Sequence, residues 1–595
     1  MNILLLNDGY YLDSLRRLGH SVFFAGATPY ADQKIGSDPV PIGRILLRCP
    51  FEPDIVLLSD SINYRAAFVG LEELEMPLAF FGVDAPMNGF WQRDLCQAFD
   101  MAFLDQSSSV EALRAAFPQQ AEHVHWLPLG ADPAIYHKLP TTQIYDIAFV
   151  GSVHPMLRPK RHWLLKTLKR HFKVEIFNGG NRRDLAPQTV AQIYNQSRIV
   201  LNENLFPGLN LRLLEAMSCG ACLMTEESDR SWDLFFTDGE HLVSFNSENL
   251  IERTAALLAD QARRERIAAA GMELVHSQHT IDHRARALAD QLTEAIQHPR
   301  PRDAAARRFH LGRACLSLAS RWPDQPVGKL KKYAFYLLEE AGRLGAGKSD
   351  VYYEFTAQAL NEGRRMKAGG WLDKALQADS EHLRCLWTSF WRLRELGDHQ
   401  ASAAEIVRLR QALGLEAPHR TFYETLLTER DLTAYEYIEL GKILESAGWL
   451  FDPGVERSSA HPCRWNAFDA YQKAIALAPQ LCEPYRRCAD VLEQSGCGEF
   501  ALPFLEKAAV LEVEDVEVRF RLSRLLLRHY RREEGCEQLL QYLRLSNEAD
   551  KWDKAESLRL TVSEWTGLLA AMEGLQKPPP LPEILRQSCQ ANISK

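Results

Sequence analysis

The segment Asn202–Gly220, NENLFPGLNLRLLEAMSCG, gathers polar residues suited to holding an anion. An apolar run, Ile199–Leu201, leads into a polar loop, and a helical pattern begins near Asn210. A loop feeding a helix N-terminus offers unpaired backbone N–H groups and a partial positive charge, which suits a diphosphate. Asn210 and Arg212 fall in the first turn and can add donors, while Glu215, one turn on, can accept hydrogen bonds from sugar hydroxyls. Taken alone, the same residues also describe an ordinary capped helix with a solvated glutamate.

A charge asymmetry points the same way. Between Asp146 and Glu175 there is no acidic residue, while the stretch carries Arg158, Lys160, Arg161, Lys166, Lys169, Arg170 and Lys173. It opens on a β-like run, Ile147–Val150, followed by Gly151 and Ser152. Small residues there let a ligand approach the backbone at the carboxyl edge of a strand, where doubly wound sheets bind ligands. Arg158, Lys160 and Arg161 can neutralise a leaving diphosphate. For Arg161 a solvated helix face is an equal alternative, and Lys166–Lys173 read as such a face. No Asp-x-Asp occurs in the chain. No acidic pair is therefore offered to a metal on a diphosphate, and neither metal nor cofactor is expected.

These residues need strands and helices to position them. Ile3–Leu6, Val22–Ala25, Ile55–Leu58 and Leu78–Gly82 are short apolar runs separated by polar or helical sequence. A second set follows: Ile147–Val150, Val174–Phe177, Ile199–Leu201, Ala221–Thr225 and Leu242–Phe245. Alternation of this kind predicts parallel sheets wrapped by helices, here two doubly wound domains in tandem. The turn-rich stretch His125–Tyr136 joins them, and His298–Asp303, broken twice by proline, closes the second.

Beyond residue 303 the pattern becomes helix after helix, with a period. Lys473-Ala474-x-x-Leu477 recurs 34 residues later as Lys507-Ala508-x-x-Leu511, and Gly363 and Gly397 share that spacing. The repeat resembles the tetratricopeptide (TPR) motif. The interval from Gly448 to Gly496 implies an insertion within 451–464, which reads as a loop. The expected domains are 1–130, 131–300, an all-α TPR-like array at 301–575 and a Pro-rich mobile tail at 576–595.

Composition is that of a globular protein. Among 595 residues, 46% are hydrophobic and 25% charged, with a net charge of −9, so nothing calls for nucleic acid or an anionic membrane as partner. Twelve scattered cysteines suit a reducing compartment. No apolar run reaches the roughly 18 residues of a membrane span. The start, MNILLLN, lacks the basic and long apolar regions of a signal peptide, so a cytoplasmic location is expected. Cys219-Gly-Ala-Cys222 reads as a helix-to-strand turn rather than a metal site.

The stretches PLGADPAIY, YDIAFVGSVHPMLRPKR and LNENLFPGLNLRLLEAMSCGACLMTE, followed by DLFFTDGEHLVSF and GMELVHSQHTIDHRA, resemble the CgeB-type spore-maturation family of GT-B glycosyltransferases over residues 1–297. The resemblance implies two Rossmann-like domains with a cleft between them and a last helix crossing back onto the first. It places Gly151, Ser152, Arg158 and Lys160 on the phosphate side of a nucleotide-sugar, Asn210 and Arg212 near the sugar-phosphate, and Glu215 on the ribose hydroxyls. It implies a metal-independent reaction. Many retaining GT-B enzymes carry two glutamates eight positions apart; counting back from Glu215 reaches Pro207, so retention and inversion both stay open.

In the first domain, Asn7-Asp8-Gly9-Tyr10 ends the first strand where GT-B enzymes place a loop facing the donor. Inversion needs a base near the acceptor hydroxyl. Asp84, in FFGVDAPMNGFW, is the first candidate and Asp8 the second, with Asp60 behind them; Asp84 also reads as a turn residue before Ala-Pro. A TPR groove suits an extended peptide, so the expected activity is transfer of a sugar to a protein acceptor, with bacterial flagellin as one such target. The alternatives are a surface-polysaccharide or spore-coat glycosyltransferase whose array serves docking or homo-oligomerisation, and a non-catalytic scaffold.

Overall fold

The computed structural model describes residues 1–572, apart from 37, 62–65, 156, 178–184, 207, 228–231, 300, 322–326, 452–460, 546–553, 556 and 559. Pro207 and the tail 576–595 therefore lie outside the described residues. The chain forms two compact units, one of Met1–Gly130 with Thr280–Ala470, the other of Ala131–His279 with the residues from Tyr471 onward. The helical residues are shared between the units.

The first unit is built on a parallel sheet of seven strands: β1 (Asn2–Asn7), β2 (Ser21–Gly26), β3 (Gln33–Lys34), β4 (Ile55–Ser59), β5 (Leu78–Gly82), β6 (Met101–Leu104) and β7 (Val124–Trp126). Their order is β3-β2-β1-β4-β5-β6-β7. Alternate side chains of β1 serve two cores. Ile3 and Leu5 enter one with Ala285, Leu288 and Leu292, while Leu4 and Leu6 enter the other with Leu311, Ala314 and Leu337. Successive side chains point to opposite faces of a strand, so a sheet covered on both faces requires an unbroken apolar run. One cover is the helix Ile281–Gln297, whose return to this sheet is what the family resemblance implies. The other includes the first pair of the helical region, Ala304–Arg321 and Val327–Leu344. That pair is also tied by charge: Arg307 meets Asp100 at 2.7 Å, and His310 meets the buried Asp94 at 3.0 Å.

Helical hairpins continue the first unit. Helices Lys348–Asn361 and Arg365–Ala378 form one, Leu383–Glu395 and His399–Ala412 the next. Gly363 and Gly397 turn each pair with φ of 72° and 82°. That left-handed conformation is inexpensive for glycine, which is why the 34-residue spacing shows in glycines. The insertion returns onto these hairpins. Trp387 donates to the Pro462 carbonyl at 2.8 Å, Arg384 to that of Trp465 at 2.8 Å, and Arg464 pairs with Glu354 at 2.6 Å. Cys463 is fully buried. The sequence presents 451–464 as a loop; its described end is a packed 3-10 turn, Pro462–Arg464.

The second unit holds β8 (Tyr145–Val150), β9 (Val174–Phe177), β10 (Ser197–Asn202), β11 (Cys222–Glu226) and β12 (Val243–Phe245), all parallel in the order β9-β8-β10-β11-β12. Its core takes Ile147, Phe149, Ile199, Leu201, Met224 and Phe245, and with them Tyr530. Tyr530 lies in the turn between helices Val516–Arg528 and Arg532–Leu545, at a φ of 61° rarely adopted by a bulky residue. Thr167 donates to its carbonyl at 3.4 Å. Among the described residues, no helix is long and apolar enough to cross a membrane.

Both sheets borrow apolar cover from beyond residue 300, so the α/β half does not bury its cores by itself. A chain ending at residue 300 would bare the sites of Leu311, Leu337 and Tyr530. Such a fragment should lose cooperative urea unfolding; a sharp transition with the midpoint of the whole chain would show the helices dispensable.

Candidate functional site

In each unit the strand order reverses once, between β1 and β4 in the first sheet and between β8 and β10 in the second. Loops leaving the two strands on either side part in opposite directions there and open a crevice at the carboxyl edge. In the first unit those loops carry Asp8-Gly9 and Asp60-Ser61. Asn7, at φ 74°, donates to the Ser59 carbonyl at 2.9 Å and accepts from the Ala66 N–H at 2.8 Å, which locks the two loops together. Asp8 accepts the Tyr10 N–H at 2.9 Å and a hydrogen bond from Ser61. Burial raises its pKa, against the pull of those two donors. Gly9 lies under the rings of Phe24 and Tyr30, where a Cβ would come within 3.0 Å of Phe24.

Asp84 stands one strand further along, after β5. It is exposed, precedes the helix Ala85–Ala98 in a left-handed conformation (φ 49°), and does not cap that helix with its side chain. Asp105, buried at the end of β6, instead accepts the N–H groups of Asp84 at 2.9 Å and Ala85 at 3.3 Å. Burial first, and the charge of Asp84 second, push the Asp105 carboxyl up to about 7. Asp60 is buried and accepts from Gln92 at 2.8 Å.

In the second unit the crevice lies between the loop after β8, with Gly151 and Ser152, and the loop after β10, with Glu203, Asn204 and Asn210. Asn210 caps the helix Leu211–Ser218, accepting the Leu213 N–H at 3.0 Å, and its amide donates to Asn202 at 2.9 Å and to Asn204. Arg212 is buried over the Phe149 ring and donates to the Val150 carbonyl at 2.9 Å and to Asn202 at 3.0 Å. Its guanidinium thus spans the ends of β8 and β10. Gly151 (φ 146°) makes room for it, since a Cβ there would lie 2.8 Å from the guanidinium. Glu215 is buried one turn into the helix. Arg158 is half-buried immediately before the helix Pro159–Lys169.

Lys160 departs from the expected phosphate contact. It is buried, with Nζ 2.8 Å from Glu226, 3.5 Å from Glu499 and 3.8 Å from Glu203. Burial pulls its pKa down, but the three carboxylates, Glu226 foremost, outweigh that and hold the ammonium well above the usual lysine range. Its charge is committed within the protein. Arg161 donates to Glu203 Oε2 at 2.6 Å and to the Ser152 carbonyl at 2.8 Å. Glu226 accepts from Tyr530 Oη at 2.9 Å, and Glu499 is bonded to His529 at 2.5 Å.

The structure therefore gathers Gly151, Ser152, Asn210 and Arg212, with Arg158 opening the neighbouring helix and Glu215 one turn into its own, around one crevice. Asp8 and Gly9 line the crevice of the other sheet, with Asp84 one strand away. Glu226, Glu499, His529 and Tyr530 were missed. Glu226 ends an apolar run, a signal that strand-end reading can use; the other three sit in helical sequence with no such mark. Among the described residues, no three His, Cys, Asp or Glu side chains are grouped to hold a metal ion.

Residues 158–290 match a family model described as "Glycosyl transferase-like". The match spans Arg158, Lys160, Asn210, Arg212 and Glu215, so the chain carries a glycosyltransferase domain. No curated protein matches the chain. Among solved structures it is similar to sucrose-phosphate synthase of Thermosynechococcus elongatus (10% identity over 50% of this chain and 99% of that one, TM-score 0.36). It is similar also to a glycosyltransferase of Rickettsia africae, with the same four values. A third is Anabaena Alr3699/HepE in complex with UDP-glucose (13% identity, 49% of this chain and 100% of that one, TM-score 0.37).

Gly151→Ala tests the packing of the crevice. The added methyl meets Arg212 in a backbone conformation that disfavours a Cβ, so a loss of about 1–3 kcal/mol is expected in urea unfolding of the purified protein. An unchanged midpoint would mean that Arg212 is not held as described.

Proposed function

We propose that this glycosyltransferase-domain protein moves a sugar from a nucleotide-sugar to a protein acceptor without a metal ion. One observation carries the donor half of the reading. The loops after β8 and β10 flank the reversal point of a parallel sheet, and between them they bring a helix N-terminus, Gly151, Ser152 and the basic Arg158 to one crevice. The helix N-terminus and Arg158 receive the diphosphate. Glu215 takes the ribose hydroxyls. Arg212 and Lys160 act indirectly, holding the loops that carry these groups.

For the base, Asp8 fits better than Asp84. It stands at the reversal point of its sheet, and burial raises its pKa, which suits a base working nearer neutrality. Asp84 precedes a helix on the next strand and keeps the turn role that its sequence also suggested.

The helical hairpins, read as TPR-like, recruit the acceptor polypeptide, flagellin being one acceptor of the expected kind. Their open surface includes a groove lined by Lys331, Lys332, Phe335, Lys367 and Trp371. The seat taken by His461–Trp465 favours a second reading, in which the hairpins are structural or oligomerising and the acceptor is a surface polysaccharide or spore-coat glycan. Mass spectrometry of proteins from cells with and without the enzyme separates the two: a sugar mass lost from a protein supports the first, a change confined to glycans the second.

Arg158→Ala and Glu215→Ala should each raise the donor KM roughly 10- to 150-fold, the equivalent of one charge-assisted hydrogen bond of about 1.5–3 kcal/mol. Wild-type kinetics in both would misplace the site. Transfer should also survive EDTA; loss on chelation, restored by Mg²⁺ or Mn²⁺, would refute the metal-free reading. If Asp8 is the base, Asp8→Asn should lose nearly all transfer while binding donor normally. The acid limb of the wild-type pH–rate profile should then lie above the ordinary aspartate range.

A further inference from the structure

The helical region reaches the donor crevice through three side chains. Glu499, in the 3-10 turn Gly498–Phe500, lies 3.5 Å from Lys160 Nζ; His529 and Tyr530 come from the turn after the helix Val516–Arg528. From them a continuous chain of contacts runs inward. His529 holds Glu499, Glu499 and Glu226 hold Lys160, and Tyr530 fixes the other oxygen of Glu226. Lys160 and Arg161 together hold Glu203, whose carbonyl accepts from Arg161 at 3.3 Å and from Arg212 at 3.4 Å. Arg161 also fixes the Ser152 carbonyl, and Arg212 that of Val150. Both loops of the crevice are thus anchored to one set of charges.

The network sets Lys160, Arg161 and Arg212 against Glu203, Glu226 and Glu499. Burial would raise Glu499, but Lys160 and His529 pull it down to about 2, so it stays ionised beside Lys160. A buried cation without its full set of carboxylates is costly, and its neighbours move to compensate. Loss of Glu499 or of the Tyr530 hydroxyl would therefore shift Lys160 and Glu226, and with them Glu203 and the loops.

We infer that Glu499, His529 and Tyr530 are positioning residues of the nucleotide-sugar site. Through Lys160 and Glu226 they hold the loops after β8 and β10 in the arrangement that receives the donor diphosphate. The helical region is on this view a working part of the donor half, besides any role toward an acceptor. The inference rests on the donor-site reading above.

The test uses the full-length chain and calorimetric binding of UDP, GDP, ADP, CDP and TDP, the tightest of these then serving as probe. Glu499→Gln and Tyr530→Phe keep side-chain size, and each should weaken the probe five-fold or more. Arg532→Gln is the control. It breaks the 2.8 Å contact with Ser247, which joins helical region and α/β domain outside this network, together with a pair to Glu564 within the helices, and it should leave affinity within two-fold. The double variant Lys160→Met with Glu499→Gln should bind no more weakly than Lys160→Met alone, because Glu499 acts through Lys160. No binding of any diphosphate to the wild type would overturn the donor-site reading itself. With binding established, the positioning role is overturned by variants within two-fold of wild type, by an equal loss in Arg532→Gln, or by additive losses in the double variant. Should Glu499→Gln fail to fold, Tyr530→Phe against Arg532→Gln decides alone.

Discussion

Lys160 sets the terms for the second unit. An ammonium group buried at the carboxyl edge of a sheet must be met by carboxylates, and removing one partner from such a site typically costs about 3–5 kcal/mol. Here the partners come from three places: the loop after β10, the end of β11 and the helical region. The loops of the crevice are consequently tied to the same charges that hold the helices in place. Tyr530 adds an apolar tie by placing its ring in the sheet core while its hydroxyl serves Glu226.

The same geometry recurs in both sheets. A parallel sheet collects the ends of its strands at one edge, and where the strand order reverses, the loops part. In one unit this gathers Asp8, Gly9, Asp60 and Ser61; in the other, Gly151, Ser152, Glu203 and Asn210. Carboxylates occur at both edges; in the second, Glu203 is met by Lys160 and Arg161.

The helices beyond residue 300 do two kinds of work. Some are cover: Leu311, Ala314 and Leu337 complete a face of the first sheet, as Tyr530 does in the second. Others form hairpins turned by left-handed glycines, and part of that hairpin surface is already taken by His461–Trp465. The hairpin surface left open is correspondingly smaller.

Much was legible in order along the chain. Unbroken apolar runs such as Ile3–Leu6 and Ile147–Val150 announce strands buried on both faces, because a local pattern reports which faces are covered. Gly363 and Gly397 announce hairpin turns, because only the local φ matters there. Asn210 was recognisable for a similar reason, as a helix cap, whereas the room read at Gly151 as a ligand's approach is taken by Arg212. The partners of Lys160 were not legible. A lysine beside Arg161 in a basic stretch looks free for phosphate, and nothing local says that Glu499 will neutralise it. Tyr530 and Glu226 meet across 304 positions, and their meeting depends on which helices cover which sheet. Residue types and short spacings follow from the sequence alone. Which charges neutralise one another is decided by long-range packing, since an ion pair is a property of two distant segments and of the water excluded between them.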